Sequence, residues 1–172
     1  MATQYKPLNF ALEYAKRGWR VLPLHTPDAQ GHCSCHKQHC TTVGKHPRTK
    51  NGCKDATTNE KIIRRWWEMW PDANVAIATG MESGIFVLDI DPRHGGDKSL
   101  EMLENQYGSL PATLKSKTGN GGWHLFFRHP GTPIPNLISK IGSGLDIRGD
   151  GGYVVAPPSL HQSGAYYQWI HQ

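Results

Sequence analysis

At 172 residues the chain has the length of one ordinary domain, enough to bury a core. With 37% hydrophobic and 19% charged residues, 19 glycines and 12 prolines, it reads as a loop-rich globular protein, which excludes a fibrous or disordered chain. A net charge of +5 and a pI near 9.1 favour a polyanionic partner, nucleic acid above all, but say nothing of the chemistry done on it.

No stretch approaches the ~20 apolar residues of a membrane span, and the start Met1-Ala2-Thr3-Gln4-Tyr5-Lys6-Pro7 has no apolar signal core. A cytoplasmic protein with no membrane partner is therefore expected. Leu8, Ala11, Leu12 and Ala15 recur at helical spacing before Gly18, which predicts a helix from about Pro7 to Arg17, and a short strand follows from Trp19 to Leu24. From His25 to Asp55 no apolar period is visible, and so long a loop in a compact domain needs a function or a staple. Thr57-Thr58-Asn59-Glu60 reads as a capping box, opening a helix whose Ile63, Trp66, Trp67 and Trp70 form a core-facing stripe ended by Pro71. Strands are predicted for Asn74 to Thr79 and Ile85 to Asp91, then a helix from Ser99 to Tyr107 with Leu100, Leu103 and Tyr107 inward and Gly108 after it.

The second half changes character. Thr113 to Lys117 and Trp123 to Arg128 read as strands around the turn Gly119-Asn120-Gly121-Gly122. Gly144 to Arg148 and Tyr153 to Ala156 flank another turn at Gly149-Asp150-Gly151-Gly152, and Tyr166 to Ile170 is a last strand. Helix and strand alternate first and hairpins dominate later, so an α/β or α+β domain with a mixed sheet is expected. Residues 1–172 are read as one domain, with the stretch of about 25–55 as an insertion, forming the N-terminal catalytic part of a longer protein.

Within this frame Ile85-Phe86-Val87-Leu88-Asp89-Ile90-Asp91-Pro92 is a buried strand ending in two carboxylates at the rim of a sheet. Alternation puts Asp89 and Asp91 on one face, about 6.6 Å apart along the strand, where they can share a divalent cation; capping the next turn is the plainer role. Asp146, between Leu145 and Ile147, is a third carboxylate near a strand end, and it needs a partner there: Arg148, a turn contact or a metal. If the two strands are neighbours, three carboxylates make a two-metal site for in-line phosphoryl displacement, and Arg148 on the same face suits a grip on triphosphate oxygens. Lys115-Ser116-Lys117-Thr118-Gly119-Asn120-Gly121-Gly122-Trp123-His124 adds a glycine turn open to phosphates and a histidine able to donate to them, though a plain hairpin turn would look the same.

Val87-Leu88-Asp89-Ile90-Asp91, Gly119-Asn120-Gly121-Gly122-Trp123-His124-Leu125-Phe126-Phe127 and Leu145-Asp146-Ile147-Arg148-Gly149-Asp150-Gly151-Gly152-Tyr153-Val154-Val155-Ala156-Pro157-Pro158-Ser159 together resemble the bifunctional primase-polymerase domain of the archaeo-eukaryotic primase superfamily. Gly44-Lys45-His46-Pro47, Asp55-Ala56-Thr57 and Asn74 to Gly80 are similar to it too, so the resemblance covers nearly the whole chain. It implies an N-terminal α/β module packed on a modified RNA-recognition-like module, with the site in the cleft between them. It further implies that Asp89, Asp91 and Asp146 are the metal-binding catalytic triad for Mg²⁺ or Mn²⁺ and that His124 contacts nucleotide phosphate; on the residues themselves, Arg148, Ser116, Lys117, Thr118, Gly121 and Gly122 are further nucleotide-binding candidates. The superfamily's serine two residues before the histidine is Gly122 here, so a hydroxyl contact falls to Ser116 or Thr118. The implied partners are a single-stranded DNA template, a primer strand, dNTPs or NTPs, and a C-terminal helical or helicase segment outside this chain, in a prokaryotic, phage or plasmid setting. A metal-dependent nuclease and a non-catalytic DNA-binding module are the competing readings.

Three of the four cysteines lie between positions 33 and 40, which suits reduced metal ligands better than disulfides. Cys33, Cys35, Cys40 and His46 are the favoured set for a structural Zn²⁺ that supplies folding energy to a loop lacking a core. His32, His36, His39 and Cys53 compete on spacing. Lys45, Arg48, Lys50 and Lys54 make the loop a candidate contact for the template backbone.

Overall fold

Residues 6–170 are described by the computed structural model of the chain. Pro7 opens the first helix, α1 (Pro7–Lys16), where its missing N–H is no loss and its φ is already helical. Strand β1 (Val21–Leu24) follows, starting two residues later than the pattern predicts. Helix α2 (Glu60–Met69) is capped by Asn59, whose side chain accepts from the Lys61 and Ile62 backbone N–H groups. The capping box expected at Thr57 does not form. Thr57 is bridged to Val21 at the sheet margin, and its Oγ1 accepts from Asn59 N at 3.1 Å, while Glu60 is engaged by Arg64 at 2.6 Å. Of the aromatic stripe, Ile63 and Trp67 are buried, and Trp66 and Trp70 pack against the core from its edge.

Strands β2 (Asn74–Ala78) and β3 (Ile85–Ile90) come next, then a short 3-10 turn and helix α3 (Gly96–Tyr107). The remainder is strand: β4 (Leu114–Lys117), β5 (Trp123–Arg128), β6 (Leu137–Ile138), β7 (Leu145–Arg148), β8 (Tyr153–Ala156) and β9 (Gln168–Ile170). At two residues, β6 is too short to leave an alternating pattern in the sequence. Tyr107, predicted inward, is 75% exposed, because the last turn of α3 runs past the sheet it covers.

The strands form two sheets, a three-stranded one in the order β1-β2-β8 and a six-stranded one in the order β6-β7-β3-β5-β4-β9. The α+β class is as expected, but every ladder among the described residues is antiparallel, in place of the predicted mixed sheet. Antiparallel neighbours need only turns between them, and the second half of the chain supplies turns rather than crossover helices. The Gly149–Gly152 turn does not close a hairpin: it carries the chain from β7 in the large sheet to β8 in the small one. Thr79 Oγ1 donates to Gly149 O (2.7 Å), and Asp150 accepts from Met81 N (2.9 Å) and Ile134 N (2.8 Å), so the turn ties the sheets together.

One core packs α1, α2 and the small sheet against Ile85, Val87 and Phe126 of the large sheet. The opposite face of the large sheet buries Leu88, Ile90 and Leu145 under Leu100 and Leu103 of α3. β3 is therefore covered on both sides along most of its length. Near its C-terminal end Asp89 is only half-buried, and there a cleft opens. No helix among the described residues is long and apolar enough to cross a membrane.

Ile63 is fully buried in the main core, so Ile63→Ala is expected to cost about 2–5 kcal/mol in urea unfolding, whereas Tyr107→Ala should stay within about 0.5 kcal/mol of the parent.

Candidate active site

One row of residues crosses the large sheet near the C-terminal end of β3. In register, Ser116 faces His124, His124 faces Asp89, and Asp89 faces Asp146 across four neighbouring strands. Directly opposed residues in a sheet point to the same side, so Asp89, His124 and Asp146 converge although 57 positions separate the first and last in sequence (146 − 89). They line a cleft with two lobes of ≈ 380 and ≈ 320 Å³. Lys45, Asp89, His124, Arg148 and Tyr167 are common to both lobes.

Each carboxylate has a cation. Arg148 Nη2 lies 2.9 Å from Asp146 Oδ2 and 3.5 Å from Asp89 Oδ2, and Ser139 N donates to Asp146 Oδ1 at 3.0 Å. His124 Nε2 is 3.5 Å from Asp89 Oδ1. Burial holds the His124 pKa below its usual value despite the Asp89 charge, so the ring is neutral at pH 7. Asp91 accepts from Arg93 N (3.0 Å), Arg93 Nη2 (2.8 Å) and His94 Nδ1 (3.0 Å), and these contacts, those of Arg93 first, push its pKa down to about 2. The plainer roles expected of these residues are thus present as well: Asp91 caps the turn after β3, and Asp146 pairs with Arg148.

As a donor set, three carboxylates in one cleft offer the hard oxygens that Mg²⁺ or Mn²⁺ takes. Their oxygens are not gathered within 4.8 Å of one another, since the one such group of three or more among the described residues is elsewhere. Asp91 would have to exchange Arg93 and His94 for a metal.

The glycine turn serves the cleft through Thr118, which precedes it, and Asn120. Thr118 is buried beside Asp91 and lines the larger lobe. Its Oγ1 accepts from Gly122 N at 2.9 Å, and Asn120 bridges it (2.7 Å) to Arg93 Nε (3.2 Å), with the amide nitrogen on the threonine and the oxygen on the guanidinium. A hydroxyl accepting two bonds keeps its own proton to donate. At Gly122 a Cβ would overlap the Ile90 carbonyl oxygen and approach Thr118 Oγ1 to 3.1 Å, so no serine fits here and the threonine hydroxyl stands beside the space it would take. Ser116, beside His124 on the neighbouring strand, is fully buried with its Oγ unpartnered, outside the cleft lining, and Lys117 and Gly121 face solvent. Arg93, His94 and Tyr167 belong to the cleft without forming any motif in the sequence, because only the fold brings them to Asp91 and His124, and Asn120 joins them from the glycine turn. Arg93 alone leaves a local signal, as a cation two residues after Asp91.

The cysteine loop resolves more sharply. Cys33, Cys35, Cys40 and His46 bring their ligand atoms within 4.8 Å of one another. Cys33 Sγ and Cys40 Sγ lie 3.3 and 3.5 Å from His46 Nε2, close to the ~3.6 Å that ~2.3 Å Zn–S and ~2.0 Å Zn–N bonds give at a tetrahedral angle. This set can bind zinc. The competitors lie elsewhere: His32 pairs with Asp28 (3.3 Å), His36 and His39 are exposed, and Cys53 donates to Gly152 O (3.1 Å). Of the basic residues expected to contact the template, Lys50 and Lys54 are exposed. Arg48 is turned inward, donating to Leu24 O (3.1 Å), Thr26 Oγ1 (3.0 Å) and Ser34 Oγ (3.0 Å), and so braces the loop. Lys45 enters the cleft.

A two-sheet α+β protein with a charged cleft, and a Cys₃His cluster on an adjoining loop, is the class these features define. Compared with known families, residues 11–172 match Prim-Pol, described as bifunctional DNA primase/polymerase, N-terminal, and the chain belongs to that family. Membership conveys DNA primase/polymerase function in general, with DNA and nucleotides as partners. No curated protein matches the chain.

Two outcomes are expected. The protein binds one equivalent of Zn²⁺, and Cys40→Ala lowers metal content by elemental analysis and the melting temperature with it. His124 and His161 (the latter pushed down to about 4) both have pKa values depressed by burial, so below the ordinary 6.5 the unfolded chain takes up protons first. Stability is full above pH 6.5 and declines toward pH 4, and His161→Gln flattens the melting temperature against pH relative to the parent.

Proposed function

We propose that residues 1–172 form the catalytic domain of a template-dependent DNA primase/polymerase, with the stretch of about 25–55 as a zinc-stapled insertion. The domain joins dNTPs or NTPs on single-stranded DNA by two-metal nucleotidyl transfer. The observation that carries this reading is the cross-strand row placing Asp89 between His124 and Asp146 at the open end of the sheet. Family membership supports it.

Asp89, Asp91 and Asp146 would hold two Mg²⁺ or Mn²⁺ ions. Bound divalent ions lower the pKa of an attacking 3′-hydroxyl and offset the charge gathering on departing pyrophosphate. The residues of the chain prepare that event. Three carboxylates and three Lys or Arg side chains line the larger lobe, so it is nearly neutral by itself and becomes strongly positive with two divalent cations present. A polyphosphate is the natural counter-charge.

His124, neutral and walled in, is placed to donate a hydrogen bond to a phosphate oxygen rather than to contribute charge. Arg148 bridges Asp146 and Asp89, and its guanidinium N–H groups would be available to phosphate oxygens if those carboxylates held metal. Thr118 contributes the free hydroxyl proton. Arg93, which now pairs with Asp91, is also held by Asn120, so it would remain at the cleft if a metal took its place on that carboxylate. The template and primer strands meet the protein outside the cleft, where Lys50 and Lys54 are exposed. A C-terminal segment beyond this chain serves initiation.

The test is incorporation of labelled dNTPs on primed and unprimed single-stranded DNA with Mg²⁺ or Mn²⁺. Asp89→Ala is expected to lower incorporation at least ~10²-fold while leaving DNA binding nearly unchanged. Normal synthesis by that variant overturns the assignment. DNA cleavage with metal and no nucleotide would instead mark a nuclease.

A further inference from the structure

Lys45 lies far from the carboxylates in sequence, yet it lines both lobes of the cleft. Its backbone is held on all sides. Tyr153 Oη donates to Lys45 O (3.0 Å), Lys45 N donates to Thr42 O (3.0 Å), and Asn74 Nδ2 donates to Gly44 O (3.0 Å). The next residue, His46, belongs to the Cys₃His cluster, and its carbonyl accepts from His25 N (2.9 Å). The side chain therefore leaves a fixed origin, and little freedom remains to be lost when a ligand is bound.

Lys45 is half-buried and shares the larger lobe with Asp89, Asp91, Arg93 and Arg148. Arg93 and Arg148 are each satisfied by a carboxylate. Lys45 is not: among the described residues it makes no ion pair and its side chain no hydrogen bond. A partly desolvated, unpaired cation is costly, and its cost is recovered only when an anion arrives. A lysine whose purpose was to balance the aspartates would be drawn onto one of them.

Granting that the cleft performs nucleotidyl transfer, we infer that Lys45 binds the polyphosphate of the nucleoside triphosphate rather than the backbone of the template. The compact ammonium, with three rotatable donors, suits a flexible polyphosphate whose oxygens are shared with metal ions. Lys45 reaches both lobes from the cysteine loop, a different part of the chain from the strands that carry the row. Lys45 would then join His124, Arg148 and Thr118 in holding the phosphates. The loop that binds zinc thereby supplies part of the nucleotide site.

The experiment is titration of the intact domain with dATP and Mg²⁺ by calorimetry, and in parallel with a single-stranded oligonucleotide bearing no triphosphate. Lys45→Met is expected to weaken dATP binding about tenfold or more, Lys45→Arg to restore most of it, and both to leave oligonucleotide affinity and melting temperature as in the parent. Unchanged dATP affinity in Lys45→Met, with normal binding by the parent, overturns this inference alone. A loss confined to the oligonucleotide also overturns it and returns Lys45 to the template. A parent protein that binds no dATP overturns the nucleotidyl-transfer reading and this inference with it.

Discussion

The register of β3 between β5 and β7 is the constraint that governs both the core and the cleft of this molecule. Because side chains alternate with a period of two, a slip of one residue would turn Asp89 toward α3 and bring Ile90 into the cleft. Hydrophobic packing forbids that slip: Leu88 and Ile90 are buried under α3 on one face while Ile85 and Val87 are buried against the small sheet on the other. The same pattern that holds the core therefore aims the carboxylates. Gly144 secures the far side of the arrangement. It has φ +68°, Asp91 N donates to its carbonyl at 2.8 Å, and a Cβ there would come within 2.6 Å of both Asp91 O and Gly96 N. Only a residue without a side chain lets β7 begin so close to the end of β3.

From this register follows an electrostatic arrangement that is nearly self-compensated. Arg148 spans two carboxylates, Arg93 and His94 hold the third, and a neutral imidazole completes the row. A cleft so balanced does not repel itself during folding, which three unpaired aspartates at one sheet edge would do. The balance also leaves the site responsive, because each of these pairings is one that a metal ion or a phosphate can take over. Lys45, arriving from the cysteine loop, is the one strong cation lining the larger lobe, among the described residues, that is left without a carboxylate.

Much of this is legible in the sequence. The three carboxylates, the histidine, the glycine turn and the Cys₃His set all stand out there, because each is a local pattern: alternation along a strand, a turn dense in glycine, cysteines a few residues apart. The cap of α2 lies two positions later than the capping-box pattern places it, since Thr57 is held at the sheet margin by a partner, Val21, far from it in sequence. The turn at Gly149–Gly152 has the composition of a hairpin and serves as a bridge between sheets. Turn residues report backbone conformation, and they are silent about which sheet the next strand joins.

Most of the elements, the chemistry available and the family resemblance can be read from the amino-acid order, for these rest on residue type and short-range spacing. Which side chains meet is settled by the fold. It separates Cys53 from the other three cysteines, turns Arg48 inward as a brace, buries Ser116 beside His124 while leaving Thr118 in the cleft, and carries Lys45 from an expected outer surface into the cleft beside the carboxylates. The physical reason is common to all four. Side-chain placement depends on long-range pairing and on the contest for buried volume and hydrogen-bond partners, and neither quantity is written in any local stretch of the chain.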